Sequence, residues 1–206
     1  MAIKHIGRDR RRLQRGVAAL EAAIIMPVAI FLIFACVETY QYFRAAALLD
    51  RVAFTVANSV AMQHELFDRD QCTQSNDICV FDELAADLFQ PLDYDQRGGL
   101  IISAYAATEL TEGEATVSWE GAPQWQKVFK GTGPDVTEPV SRLAGAAGFP
   151  AVKAGDTVIV AEAFYDHEPF VMSARFWKSL AGTTRLYSRF FFRPRFDDLR
   201  ELRTLH

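Results

Sequence analysis

GVAALEAAIIMPVAIFLIFACVE, residues 16–38, is the stretch that decides the architecture of this 206-residue chain. Between Val17 and Val37 it carries a single charge, Glu21. As a helix these residues would be about 32 Å long, enough to cross a hydrocarbon core of roughly 30 Å. The stretch therefore predicts a transmembrane helix. It leaves Glu21 to be explained, because a carboxylate inside the bilayer costs about 2.5–3.5 kcal/mol.

The charges on the two sides of this helix are unequal. Residues 1–16 hold six basic residues and one acidic residue, Asp9, which gives +5 and leaves −9 for residues 17–206 in a chain whose total is −4. Basic flanks stay on the cytoplasmic side of a membrane. The body is therefore predicted to lie outside the cytoplasm, in the periplasm of a Gram-negative cell. An acidic body also argues against nucleic acid as a partner.

Three ordinary explanations compete for the apolar stretch. A cleaved secretory signal needs a shorter apolar core and a small-residue cleavage site, whereas this run ends in VETYQYF. A lipoprotein signal ending at Cys36 would have Phe34 in its recognition sequence, where it fits badly. A plain signal anchor fits the length, but it explains neither Glu21 nor Gly16.

These two residues carry a resemblance to a known family. The basic leader, Gly16 and then Glu21 at the fifth following position resemble the processing site of type IV-like prepilins. Pro27, six residues after Glu21, and Glu38, near the end of the apolar run, extend the pattern. In this it resembles the TadE/TadF minor pseudopilins of the tight-adherence (Flp, type IVb) pilus system.

The resemblance is strongest over about residues 10–62. Beyond them it rests on the run VIVAEAFYDHEPF and the basic-aromatic strand that follows. Major pilins of this system usually carry an aromatic residue where this chain has Ala22, and they are much shorter. Both differences favour a minor pseudopilin. Pro27 removes one backbone hydrogen bond from the helix, which membrane helices tolerate.

The resemblance implies a processing step and a set of partners. Residues 1–16 would be a leader peptide that a prepilin peptidase removes by cutting between Gly16 and Val17. Glu21 would then pair with the new N-terminal amine of a neighbouring subunit, as a register device more than a source of stability. The alternative is that Glu21 only reaches the lipid headgroups. The implied partners are the peptidase, other pilins and pseudopilins, the inner-membrane pilus platform and membrane lipid; no cofactor is implied.

Helical periodicity continues past the apolar stretch. An apolar stripe recurs every three, four or seven residues, and it is formed by Tyr42, Ala45, Leu49, Val52, Val56 and Val60. This predicts one helix over about 17–62, with a transmembrane part at 17–37 and a stalk at 38–62. The stalk would continue onto a head formed by residues 63–206.

The head is predicted to be α+β, with a small antiparallel sheet. FDELAADLFQPL predicts a short helix ended by Pro91. Four strands are predicted in LIISAYAATEL, ATVSWEG, TVIVAEAFYDHEPF and TTRLYSRFFFRPR; the first two form a hairpin that turns near Glu112-Gly113, and Pro194 stops the last. APQWQKVFKGTGP is expected to be a loop, DVTEPVSRLAGAAGF a short helix or turn, and FDDLRELRTLH a charged helix or frayed tail.

Cys72 and Cys79 lie in a polar stretch with six residues between them. In an oxidising compartment they are a candidate disulfide, and two free thiols are the alternative. The only histidine near them is His64, so a zinc site is not expected there.

No motif for catalysis or metal binding stands out. The sequence has no G-x-S-x-G, no H-E-x-x-H and no phosphate-binding glycine loop, so no catalytic residue is predicted. His167 lies between Asp166 and Glu168, but adjacent strand residues point to opposite faces, so no metal site is predicted.

Two aromatic groups have open interpretations. Trp119, Trp125 and Trp177 are expected in the core, with a sugar- or partner-binding surface as the alternative. Four arginines and three phenylalanines near the C-terminal end predict a half-buried strand with a solvated arginine face, with an edge strand facing a partner as the alternative. They are Arg185, Arg189, Arg193, Arg195 and Phe190–Phe192.

Two functional hypotheses follow. The first is a minor pseudopilin that is processed after Gly16 and required to assemble an Flp-type pilus. The second is a single-pass, membrane-anchored periplasmic binding module unrelated to pili. The two differ in the fate of residues 1–16, which the second hypothesis leaves attached.

Overall fold

The computed structural model describes residues 6–69, 71–108, 117–134, 136–143, 148–168, 184–196 and 198–204, and of residues 6–18 the backbone alone. The chain divides into two compact units, residues 1–43 and residues 44–206. One helix, α1 (Ile6–Ala61), contributes to both. A long N-terminal helix followed by a mixed α and β head is the predicted fold class, which is confirmed.

Eight further elements follow α1 in the second unit. The helices are α2 (Val80–Phe89) and α3 (Tyr94–Arg97). The strands are β1 (Leu66–Asp68), β2 (Gly98–Ala106), β3 (Trp125–Lys130), β4 (Thr157–His167), β5 (Thr184–Phe192) and β6 (Leu202–Thr204).

The apolar stripe of α1 packs into the core of the second unit. Leu49, Val52, Val56 and Val60 are fully or almost fully buried, because positions three and four residues apart lie on one side of a helix. Tyr42, predicted as the first member of the stripe, is instead exposed. The helix begins at Ile6, inside the predicted leader, and ends at Ala61, close to the predicted 62.

The central sheet has four antiparallel strands in the order β3-β2-β4-β5. Its two central strands, β2 and β4, pair from Gly98↔Tyr165 to Ala106↔Thr157 and are buried along almost their whole length. Leu100 and the residues alternating with it on that face join the core that contains the α1 stripe. The opposite face carries a smaller cluster around Tyr105 and Val160. Burial on both faces explains why β4 is almost continuously apolar.

A separate two-stranded sheet connects the beginning of the head to its end. β1 and β6 pair in parallel, with Leu66 opposite Leu202 and Asp68 opposite Thr204. The C-terminal segment was predicted to be a charged helix or a frayed tail, and that prediction is wrong. The pairing joins residues far apart in sequence, so local charge patterning carries no signal for it.

The predicted hairpin between LIISAYAATEL and ATVSWEG is present in its described part. Ala107 and Trp119 form an antiparallel bridge, flanked by hydrogen bonds from Thr108 N–H to the carbonyl of Ser118 (2.8 Å) and from Glu120 N–H to the carbonyl of Ala106 (2.9 Å). The turn near Glu112-Gly113 lies outside the described residues. The prediction of a loop over APQWQKVFKGTGP is wrong, because this segment contains β3, which pairs with β2 from Gly99↔Lys130 to Ala104↔Trp125. Its alternation covers only six residues, of which Trp125 alone is buried, which makes it a weak strand signal.

The remaining predicted elements have mixed outcomes. FDELAADLFQPL contains α2, which ends at Phe89 before Pro91, and the strands containing β4 and β5 are present. β5 ends at Phe192, before Pro194. The described residues 136–143 form no helix and run in an irregular conformation, because they cover a sheet face, as shown below.

Candidate functional site

Between Leu20 and Val37 the exposed surface of α1 is apolar on all sides, with Glu21 as its one charged side chain. Eleven large hydrophobic side chains between Leu20 and Val37 are 44–65 % exposed. They are Leu20, Ile24, Ile25, Met26, Val28, Ile30, Phe31, Leu32, Ile33, Phe34 and Val37. A helix that is apolar all round requires a membrane or other protein around it. From Ala19 onward the helix has the length and composition of a membrane span, and it contains an 18-residue window with a mean hydropathy of 2.6.

The residues of the predicted processing site all lie within α1. Gly16 and Val17 are in its continuous helical backbone, and the side chain of Glu21 is exposed. Val17 and Glu21 are four residues apart, so they lie on the same face of the helix, about one turn from each other.

Pro27 and Glu38 also lie in this helix. Pro27 is inside α1, which runs on without interruption to Ala61. Glu38 is half-buried. Next to it, the hydroxyl of Thr39 donates a hydrogen bond to the carbonyl of Ala35 (2.7 Å), so this hydroxyl is satisfied within the helix.

In the head, Cys72 and Cys79 are joined by a disulfide that closes a short loop, with Cα atoms 5.8 Å apart. Asp77 is fully buried inside this loop. Its Oδ2 accepts hydrogen bonds from the backbone N–H groups of Thr73 (3.1 Å) and Gln74 (2.8 Å). Its Oδ1 pairs with Arg69.

These contacts determine the ionisation of Asp77. Burial raises the pKa of the carboxyl, but the hydrogen bonds from Gln74, Arg69 and Thr73 outweigh burial and leave the pKa below its usual range. Two backbone hydrogen bonds attach the loop to β1, from Phe67 N–H to the carbonyl of Asn76 (3.0 Å) and from Ile78 N–H to the carbonyl of Phe67 (2.8 Å). The loop is therefore both exposed and firmly held.

A second carboxylate, Asp82, behaves in the opposite way. The hydroxyl of Tyr94 donates a hydrogen bond to its Oδ1 (2.5 Å), which connects α3 to α2. Burial raises the pKa of Asp82; the bond from Tyr94 lowers it, and the negative charges of Asp95 and Glu83 raise it further. The net pKa is above the usual range. Burial and the neighbouring Asp82 also raise the pKa of Tyr94, which stays neutral.

A fully buried polar arrangement in the central sheet was missed by sequence reasoning. Glu162, in the middle of β4, has no exposed surface. Its Oε1 accepts hydrogen bonds from the Tyr187 hydroxyl (2.6 Å) and the Arg142 N–H (2.9 Å), and its Oε2 accepts one from the Ser141 hydroxyl. The sequence did contain a signal for this arrangement, because Glu162 lies inside the apolar run VIVAEAF. A charged residue in a buried strand needs hydrogen-bond donors around it.

Glu162 thereby fixes residues 136–143, the cover segment, across the second face of the sheet. Pro139 of this segment lies against Gly99, where any side chain would collide with its ring. At the other end, the Arg185 guanidinium donates a hydrogen bond to the carbonyl of Thr137 (2.7 Å). Most of these hydrogen bonds join the segment to strands, and one is internal, from the Leu143 N–H to Ser141 Oγ (3.2 Å).

The tryptophans in the described residues are in the core. Trp119 is 5 % exposed and its indole N–H donates to the carbonyl of Pro150 (2.8 Å). Trp125 is 9 % exposed and donates to the carbonyl of Leu199 (2.8 Å). Trp177 lies outside the described residues. The alternative interpretation, a binding surface formed by the tryptophans, is therefore wrong for Trp119 and Trp125.

The predicted arginine cluster is largely engaged within the molecule. β5 is an edge strand. Arg185 pairs with Asp166 (3.5 Å) and Arg193 with Asp156 (2.8 Å). The backbone N–H of Arg195 donates to the carbonyl of Ala61 (2.9 Å) at the end of α1. The strand is half-buried, as the first interpretation predicts, and it lies at the edge of the sheet, as the second predicts. The ion pairs of Arg185 and Arg193 are made within the head itself.

The described residues contain no group of three or more His, Cys, Asp or Glu side chains that could hold a metal ion. His167, flanked in sequence by Asp166 and Glu168, is buried at the end of β4. Asp166 faces Arg185, and Glu168 forms an ion pair with Arg97 (2.7 Å).

One apolar helix of membrane-spanning length, joined to an α+β head, is consistent with a single-pass membrane anchor. Residues 16–58 match the family model described as TadE-like protein, which confirms the resemblance for the segment that carries Gly16, Glu21, Pro27 and Glu38. The match covers 43 of the 206 residues, and the family that it names is a structural pilus component. No curated protein and no solved structure matches the chain.

Proposed function

We propose that this chain is a minor pseudopilin required for the biogenesis of a Tad/Flp-type adhesive pilus, a subunit and processing substrate and not an enzyme. The observation that carries the proposal is the TadE-like match, which begins at Gly16 and follows α1 to residue 58. A basic segment before Gly16 and an apolar helix after it are what a processed and assembled subunit needs.

The proposed placement is a single pass through the bacterial inner membrane. Residues 1–16 are cytoplasmic, residues 17–37 cross the bilayer, residues 38–62 form the stalk and residues 63–206 form a periplasmic head. The +5 charge of the leader supports this orientation. The disulfide between Cys72 and Cys79 supports an oxidising compartment for the head.

Assembly, in this proposal, begins with a cut between Gly16 and Val17 by the prepilin peptidase, which gives Val17 a free, positively charged amine. Glu21 pairs with the corresponding amine of a neighbouring pilin or pseudopilin as the pilus platform moves subunits from lipid into a helix bundle. Both charges lie in a low-dielectric environment, so an incorrect register leaves each unpaired, a cost of several kcal/mol.

Processing is tested by determining the N-terminus and mass of the protein from cells with and without the peptidase. We expect Val17 as the first residue only in cells with the peptidase, and an intact leader in Gly16→Ala. Gly7→Ala, within the leader but away from the cut, is the matched control and should be processed. An intact terminus in all strains would contradict the proposal and favour the anchored binding module.

The assembly role of Glu21 is tested separately. Glu21→Ala should be cleaved after Gly16 but should abolish piliation, measured by electron microscopy and by recovery of sheared pili. Gln41→Ala, at an exposed polar position of the same helix, should leave piliation intact. Normal pili in Glu21→Ala would show that the charge pair is not needed.

A further inference from the structure

An open polar cavity lies in the head between the end of α1 and the disulfide loop. Its volume is about 550 Å³. One wall is the segment that follows α1 and the other is the tip of the loop, and the lining residues are Gln63, His64, Glu65, Gln74, Ser75 and Asn76. All six side chains are polar, so the cavity is suited to a polar ligand.

The loop wall is held in place before any ligand arrives. The disulfide closes the loop, the buried Asp77 binds the backbone N–H groups of Thr73 and Gln74, and Asn76 accepts a hydrogen bond from β1. An exposed loop held this firmly has already lost the conformational entropy that binding would otherwise cost. This is the arrangement expected of a preorganised binding loop.

The side chains at the loop tip retain hydrogen-bonding capacity. Gln74 accepts one hydrogen bond from Arg69 through Oε1 (3.2 Å), and its amide NH₂ remains available. Within the described part of the chain, neither the Ser75 hydroxyl nor the Asn76 side-chain amide has a hydrogen-bond partner. Two amides and a hydroxyl offer both donors and acceptors without net charge.

Beside these groups lies an exposed aromatic surface. The His64 ring stacks on Phe196, with ring centroids 4.5 Å apart and planes 24° apart, and Phe196 is 62 % exposed. The carboxylate of Glu65 is paired with Arg203 (2.9 Å), so no unpaired charge is contributed by that residue. The site therefore combines neutral amide and hydroxyl groups with an aromatic face.

We propose that this cavity binds a saccharide that contains N-acetylated amino sugars. Hydroxyl groups along such a ligand match the amides and hydroxyl of the loop, its acetamido group can exchange two hydrogen bonds with an amide side chain, and its C–H face can pack on the aromatic pair. A phosphate or nucleic acid would need unpaired basic residues. An apolar peptide would need an apolar lining.

The proposal goes beyond the proposed function and depends on it only for the location of the head outside the cytoplasm. There, two sources offer this chemistry: the glycan strands of the cell's own wall, and N-acetylated glycans on a surface that the cell contacts. Binding is measured with the isolated protein and does not require cleavage after Gly16. A failure of one proposal is therefore distinguishable from a failure of the other.

The test uses the full chain in detergent micelles. Binding of chitotetraose is followed by isothermal titration calorimetry, and binding of purified peptidoglycan sacculi by co-sedimentation. We expect saturable binding to at least one probe, weakened at least tenfold in the double variant Ser75→Ala/Asn76→Ala and in Phe196→Ala. Gln126→Ala, at an exposed position of β3, is the matched control and should bind normally.

Each outcome tests whether the cavity binds a saccharide or identifies where that saccharide comes from. Binding to sacculi alone assigns the cell wall, and binding to chitotetraose, with or without sacculi, assigns recognition of the free saccharide. Binding to neither probe overturns the proposal, as does binding that is unchanged in both variants. Thermal unfolding of each variant, followed by circular dichroism, ensures that lost binding is not lost folding.

Discussion

The hydroxyl of Ser188 donates a hydrogen bond to Asp50 Oδ1 (2.6 Å), which joins α1 to the edge strand β5 across 138 residues of sequence. Ser188 is buried, whereas Asp50 lies on an exposed position of the helix. The bond therefore brings the polar side of α1, as well as its apolar stripe, into contact with the sheet.

Removal of this acceptor should destabilise the head. Asp50→Ala leaves the buried Ser188 hydroxyl without its partner, and we expect a loss of about 1–2 kcal/mol in the free energy of unfolding. The measurement is urea unfolding in detergent micelles, followed by the fluorescence of the buried Trp119 and Trp125. Arg51→Ala, at the next exposed position, should change stability by less than about 0.5 kcal/mol. Equal effects of the two substitutions would contradict the prediction.

Loss of the buried carboxylate of Glu162 should lower the free energy of unfolding more than loss of Asp50. Glu162→Ala removes the acceptor of three hydrogen bonds and leaves a cavity, with an expected cost of about 3 kcal/mol. Glu162→Gln retains size and one acceptor oxygen, so it should cost less. Because the lost bonds anchor the cover segment, hydrogen exchange should accelerate at Arg142 and Leu143 in Glu162→Ala before global unfolding. Unchanged exchange there would show that the segment is held by other contacts.

The ionisation of Asp82 predicts a pH dependence. Its pKa is raised by burial, so its contribution to stability is fully present below the unfolded pKa, near 4, and is lost as the pH rises through the folded value. Asp82→Asn retains the acceptor for Tyr94 without the charge. It should therefore be more stable than the wild type at pH 7, with the difference shrinking towards pH 4.

The control for Asp82 is Glu83→Gln in the same turn of α2, where the side chain is exposed. It should give no such pH-dependent gain when the urea midpoints at pH 4 and pH 7 are compared. A wild type that is as stable as Asp82→Asn at both pH values would contradict the prediction.

The disulfide loop gives a fourth prediction. The cysteines are seven residues apart, and closing so short a loop contributes roughly 2–3 kcal/mol in the chain-entropy model. Cys72→Ser/Cys79→Ser should lose about that amount. Mass mapping of the wild type without reductant should find the two cysteines in one cross-linked peptide. Free thiols at both positions in protein isolated from the cell envelope would contradict the prediction.

The parts of the fold that were predictable from sequence have local signals. Leu49 and Val56 belong to a helical repeat that continues over more than four turns, and no glycine or proline interrupts it between residues 38 and 61. β4 is a long β-branched and aromatic run after a turn, with Gly155 at a positive φ of 79°. In each case neighbouring residues alone determine the outcome.

The parts that were missed depend on distant partners. β6 is a strand only because Leu202 reaches Leu66, and the role of Glu162 depends on Ser141 and Tyr187, which are 21 and 25 residues away. The polar cavity is likewise assembled from the end of α1 and the loop tip. Residue spacing within one helix or one strand contains no information about tertiary contacts between distant segments.

The parallel pairing of β1 with β6 has a consequence for the timing of folding. A ribosome delivers Leu66 long before Leu202, so β1 must wait for almost the entire head before its partner exists. Until then its edge is exposed to other chains. A substitution or a truncation that removes Leu202 would therefore act at the start of the head, at Leu66, as much as at its own position.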